Sequence, residues 1–303
     1  MVKVAAIQLK FFRAQSVADM EARLVAAIQP AVEQGAQLAV LPQYTGLSLL
    51  GAAGVRDDPA PVMRNKGAVL RKAFEEMCAG LASRFGVWLV PGSTVVPGLD
   101  TESLVAQAHL FAPDGSIAGR QAQTHLGARE KAWGLARGDS LDMFETPLGC
   151  IGLIVGEDVR YPEVARILAL QGANLLIHVA AFPAPFDEEA WLASLWREVQ
   201  GNQVFGIEAC LVGDCFSQAY AGRSAILAPV EMTEGERGVL AQSATTDGEQ
   251  VVAAELDWDA LQKVVDGYNI FRYFNYDLYA REFPKAYRSS SANNAMQASP
   301  NLH

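Results

Sequence analysis

A chain of 303 residues, half of them hydrophobic and 19% charged, can bury a large core and falls between one large α/β domain and two small ones. A formal net charge of -10, with lysines and arginines scattered rather than gathered into a basic run, argues against a nucleic-acid or anionic-membrane partner. No uncharged run reaches the ~18 apolar residues of a membrane span, and residues 1–9 are too short an apolar stretch for a secretion signal, so we expect a soluble, cytoplasmic protein.

In chain order, residues 2–9 read as a buried strand. Ser16 is placed to cap a helix on which Val17, Met20, Leu24 and Ile28 recur at helical spacing, with Gly35 just past its end. Residues 38–41 make a short apolar strand that stops at Pro42-Gln43. A second amphipathic helix sets Leu70, Phe74, Met77, Leu81 and Phe85 on one face and leads into a strand over 87–90, which Pro91 ends. Residues 106–111 and 116–121 flank Pro113-Asp114-Gly115 as a hairpin, and 239–243 and 250–256 flank Asp247-Gly248 as another. Between them come a strand over 151–155, a helix opened by Pro162 and closed near Gly172, a strand over 175–179 and a helix over 187–203. Strands alternating with helices, interrupted by hairpins, predict an α/β protein with mixed sheets. No linker, repeat or charge block divides the chain, so we expect one domain over 1–288 followed by a disordered polar tail over 289–303.

Several stretches carry a family resemblance: Val4-Ala5-Ala6-Ile7-Gln8, Leu41-Pro42-Gln43, Thr124-His125-Leu126 with Glu130 and Gly138-Asp139, and above all the run from Gly152 through Val155-Gly156-Glu157-Asp158 to Tyr161-Pro162-Glu163. Gly222-Arg223-Ser224-Ala225-Ile226 and Glu255-Leu256-Asp257 add to it. In this order they resemble the nitrilase superfamily, or carbon-nitrogen hydrolases, over roughly the whole chain. The resemblance implies a four-layer α-β-β-α sandwich, and pairing into a homodimer or higher homo-oligomer.

In that family a glutamate is general base, a cysteine attacks an amide or nitrile carbon, and a lysine stabilises the oxyanion. A free thiol is mostly protonated near neutral pH and needs a base, and the developing negative oxygen needs fixed positive charge or N–H donors. Matched residue by residue, these roles fall on Gln43, Gln123 and Gly156, none of which can perform them. Losing one partner of a buried Glu/Lys pair leaves an uncompensated charge costing ~3 to 5 kcal/mol, whereas neutral amides at both places need not destabilise the fold. We therefore expect a pocket refitted as a neutral one, with Gln43, Gln123 and Gly156 converging on it.

Glu130 matches the family's supporting second glutamate, and Trp133 lies in the loop that edges its pocket. Glu157 follows the missing nucleophile, and His178 ends the next strand, where it could face the same pocket. The plainer expectation is that His178 is a satisfied core histidine and that Asp158 and Arg160 form an ion pair in the turn. Cys150 is five to six extended residues from Gly156, ~17 to 20 Å, too far to replace a nucleophile. Cys215 follows a strand that could run toward the pocket, but no base is partnered to it. The four cysteines form no C-x-x-C pair, and no Cys/His cluster, P-loop, dinucleotide fingerprint or nucleophile elbow is present, so neither metal nor cofactor is expected. The leading expectation is a homologue without hydrolase activity that binds a small amide-like or carboxylate ligand or supports a partner protein. A second is an enzyme using Glu130, Glu157 or His178 for another reaction, and a third is a structural subunit.

Overall fold

The computed structural model describes residues 1–55, 58–98 and 103–297, with side chains through 288. The first sheet takes β1 (Val2–Lys10), β2 (Leu38–Val40), β3 (Trp88–Val90), β4 (Ser93–Pro97), β5 (Leu104–Phe111) and β6 (Ile117–Ala122). The second takes β7 (Met143–Thr146), β8 (Gly149–Val155), β9 (Leu175–Ala180), β10 (Phe205–Cys215), β11 (Gln218–Tyr220), β12 (Ala225–Leu227) and β13 (Val239–Gln242). The chain then returns to the first sheet as β14 (Gln250–Leu256), antiparallel to β1. A short parallel contact of Leu9 with Leu211 and Lys10 with Val212 joins the two sheets.

Period-two alternation decides which way each strand faces. Val4 and Ala6 of β1 meet Ile151, Leu153 and Val155 of β8 and Ile177 and Val179 of β9 in a core between the sheets. The intervening Ala5, Ile7 and Leu9 turn the other way, onto α1 (Val17–Glu33) and α2 (Ala60–Phe85). Ile154 and Leu176 likewise turn out, onto α4 (Pro162–Leu170) and α6 (Arg197–Asn202) with Val164, Leu168, Leu195 and Val199. The result is the expected α-β-β-α sandwich with mixed sheets. A one-residue slip of β1 would exchange its two faces and expose side chains worth ~1.5 to 3 kcal/mol each, so its register is firmly held.

Helix boundaries follow their local signals. Ser16 accepts from Asp19 N at 3.0 Å at the start of α1, and Pro162 opens α4. The helix expected over 187–203 is broken into α5 (Glu188–Trp191), a π-turn over Leu192–Trp196 and α6, with non-helical torsions at Ser194. Ser194 Oγ lies 2.5 Å from Trp191 O and 3.1 Å from Glu208 Oε2, its one proton shared between the two acceptors, which ties this break to β10.

One expected hairpin does not form. Residues 239–243 and 250–256 part company, with β13 pairing to β12 in the second sheet and β14 to β1 in the first. The Asp247-Gly248 loop between them is pinned instead by buried Gln8, whose amide donates to Thr245 O and Gly248 O at 2.8 Å. The open edge of β1 offers β14 a ladder from Val2–Leu256 to Gln8–Gln250, more pairing than a short hairpin would.

The chain divides into two units, Met1–Val264 and Val265–His303. The boundary expected at residue 288 falls inside the second unit, within α8 (Tyr276–Gln297), which follows α7 (Trp258–Gly267). The backbone of residues 289–297 is helical where composition suggested a tail, and residues 298–303 lie outside the described residues.

Candidate functional site

The carboxyl ends of β2 and β8 come from opposite sheets and open toward the same region, the place where α/β proteins build crevices. After β2 the chain passes Leu41 and Pro42 to Gln43. After β8 it enters a 3-10 turn over Gly156–Arg160 before α4. The segment behind β6 carries α3 (Ala128–Ala132), and β11 supplies Gln218 and Tyr220. Together with Tyr44, Gly127, Glu157, Ala181 and Pro183 these elements enclose a cavity of about 260 Å³.

Gln43 and Gly156 touch. Gly156 has φ +53, the left-handed region, and a Cβ built on it would lie 2.3 Å from Gln43 Nε2 and 2.8 Å from Gln43 Cδ. Glycine is required here twice over, by torsion and by space. Gly156 O is held by His178, whose Nε2 lies 3.0 Å away while Nδ1 lies 2.7 Å from Glu208 Oε2. His178 is thus the satisfied core histidine, one layer beneath the cavity and 1% exposed.

Glu130, 3% exposed at the start of α3, brings a carboxyl group into the pocket expected to be neutral. Its Oε1 accepts from the Tyr44 hydroxyl and, at 3.5 Å, from Gln43 Nε2. Tyr44 sits at φ 64, uncommon for an aromatic residue, with its N–H on Ser93 Oγ at 3.0 Å. Burial, then the nearby Glu130 charge, push the Tyr44 phenol well above its usual range, so it stays a donor. Arg129 also lines the cavity, its guanidinium turned to other partners: it donates to Tyr220 OH and Cys215 O, to Phe216 O at 2.7 Å, and packs over the Trp133 ring at 4.6 Å.

Other candidates take more distant places. Glu157 lines the cavity and pairs with Arg160 at 2.7 Å. The expected Asp158–Arg160 pair is therefore not formed. Asp158, fully buried, instead accepts from Thr124 N and Oγ1 and from His125 N, and its carboxyl is raised by burial against the pull of those bonds. The backbone decides this, since two N–H groups of the turn after β6 need an acceptor and Arg160 is half exposed. Gln123 stands just before that turn, buried, with Nε2 on His125 O at 2.8 Å and Oε1 without a hydrogen bond; it is not on the cavity wall. Trp133 also stands behind the wall, edge-on to Tyr44. Cys215 is buried, its thiol pushed up to about 12, chiefly by desolvation. Sequence reasoning missed Tyr44, Arg129, Gln218 and Tyr220. The first two adjoin Gln43 and Glu130 in sequence, whereas the last two are brought in only by the β10–β11 turn.

Residues 3–265 match the family model described as carbon-nitrogen hydrolase. Human omega-amidase NIT2 is 27% identical over 292 residues, covering 93% of this chain and 98% of that protein. The probable hydrolase YhcX of Bacillus subtilis is 25% identical, over 86% of this chain and 51% of its own. Among solved structures, Nit3 of Saccharomyces cerevisiae superposes with a TM-score of 0.71 at 21% identity, over 90% of this chain and 97% of its own. The NitN amidase of Nesterenkonia sp. AN1 gives 0.70 at 21%, over 86% and 96%. With two sheets back to back between helices, a crevice at the ends of β2 and β8, and a family match over nearly the whole first unit, this chain belongs to the carbon-nitrogen hydrolase family.

Proposed function

We propose that this protein is a carbon-nitrogen hydrolase homologue that has lost amide and nitrile hydrolysis and keeps its pocket for a small ligand, or as a support for a partner. One observation carries this reading: the position matched to the nucleophile is Gly156, and the space a side chain would need there is filled by the amide of Gln43. An attacking atom has neither an anchor nor room. Substitutes are poorly placed, because Cys215 is buried with a thiol near 12, His178 is used on both ring nitrogens, and Glu157 is paired with Arg160. No helix among the described residues is long and apolar enough to cross a membrane. A cytoplasmic homodimer or larger homo-oligomer completes the proposal.

Purified protein incubated with simple amides, nitriles, ureides and carbamoyl-amines should release no ammonia above background, and intact-mass spectra should show no acyl adduct. Turnover that follows the protein through purification, with an adduct mapped to a side chain, would sink the proposal. Cys215 is the first place to look for one.

A further inference from the structure

The same cavity carries a preference among ligands. Two oxygens on its wall, Glu130 Oε2 and Gln43 Oε1, accept no hydrogen bond among the described residues, although both side chains are buried and their other polar atoms are engaged. Glu157 adds a second carboxyl group. A Cβ built on Gly127 would lie 2.8 Å from Glu130 Oε2 and 3.6 Å from Glu157 Cδ, so the two groups border one point, kept open by the absence of a side chain at Gly127. The cations nearby are committed elsewhere, Arg129 to Tyr220 and the carbonyls of Cys215 and Phe216, and Arg160 to Glu157. Gln123, where the family resemblance expects a lysine, is uncharged and stands off the cavity wall.

We propose that the cavity binds a small cation rich in N–H donors, an amidinium or primary ammonium group, in preference to an amide and against a carboxylate. This rests on the pocket reading above and narrows it, since a carboxylate ligand would set its oxygens against the unpartnered oxygens of Glu130 and Gln43. The geometry suits a planar or tetrahedral nitrogen head that gives one N–H to Glu130 Oε2 and another to Gln43 Oε1, the two wall oxygens that Arg129, turned to Tyr220 and two carbonyls, leaves without a donor. Charge-assisted bonds from such a head are stronger than those from a neutral amide.

Acetamidinium, acetamide and acetate share a shape and differ in charge, which makes them the probes. Thermal shift and NMR titration of the full chain, at matched ionic strength, should rank acetamidinium first, acetamide second and acetate last, with at least a tenfold spread in apparent Kd. Glu130→Gln should abolish the amidinium response, and Glu157→Gln, at a half-exposed position the fold tolerates, should weaken it severalfold. A ranking led by acetamide or acetate, no response to any probe, or a response unchanged in Glu157→Gln overturns the inference. Ammonia release from acetamide, measured in the same samples, tests the loss of hydrolysis independently of this ranking.

Discussion

Gln43→Glu changes one atom of a buried side chain and should change stability by an amount that depends on pH. The amide nitrogen lies 3.5 Å from Glu130 Oε1, so the new carboxylate would face an existing one at that distance. At an effective dielectric of ~20 the repulsion is about 5 kcal/mol, equivalent to raising one pKa by about 3.5 units. Starting from about 4.3, that places the new group above pH 7, so it takes up a proton rather than bear the repulsion. Holding the proton at pH 7 costs about 3.5 kcal/mol relative to the unfolded chain. Because the folded pKa is the higher one, the unfolded chain releases its proton first: stability is near that of the parent below about pH 4.3 and falls by about 1.4 kcal/mol per unit as pH rises. Urea melts of parent and variant from pH 4.5 to 8 measure the difference, and Gln43→Glu with Glu130→Gln should remove its slope. A difference that is flat with pH, or a slope that survives removal of Glu130, would refute the placement of these side chains.

Gly156→Ala should cost ~1 to 2 kcal/mol for its left-handed backbone plus about 1 for displacing Gln43. Adding Gln43→Ala should return only the second part, and strict additivity in denaturant melts would mean the two side chains do not compete for space. Burial holds the His109 imidazole below its usual range despite its 3.1 Å contact with Glu75, whose own carboxyl is lowered chiefly by that hydrogen bond. Both folded values are depressed, so both contributions are present at neutral pH and lost as pH falls, from about 6.5 for the histidine; a Tm–pH profile of His109→Gln should show a shallower acid limb. Gln123→Lys alone should destabilise by a few kcal/mol, because it buries an ammonium beside a single carbonyl acceptor. Combined with Gln43→Glu it should cost less than the sum, by at least ~1 kcal/mol in a double-mutant cycle, and no coupling would dissociate position 123 from the site.

Much of the sandwich is written in period. The alternation of Val4 and Ala6 against Ala5 and Ile7, the cap at Ser16 and the stop at Pro91 are local signals, and the structure follows them. Local signals could not say which strand β14 would choose, because an Asp-Gly turn permits a hairpin without compelling one, and the deciding contact is Gln8, over 230 residues away. The same holds at the site. Gln43 and Glu157 were legible from motifs at strand ends, but the partner of Asp158 was set by unpaired N–H groups of Thr124 and His125, invisible to residue-type pairing. His178 and Trp133 were placed near the pocket by their positions in sequence and stand one layer behind it, since strand ends say which residues approach a crevice but not which of them reach its surface.

Gln43, Glu130 and Gly156 constrain one another, and that bears on how substitutions at these positions combine. Carboxylates at 43 and 130 within 3.5 Å would repel each other, which an amide at 43 avoids. Once Gln43 turns its nitrogen to Glu130, its amide fills the volume above Gly156, and the left-handed turn held by His178 removes any penalty for having no side chain there. Single substitutions toward the family residues each meet a cost: a cysteine at 156 collides with Gln43, a glutamate at 43 faces Glu130, and a lysine at 123 is buried beside one carbonyl. Each such single change is therefore expected to lose stability, while Glu130, buried in the wall, is held by Tyr44.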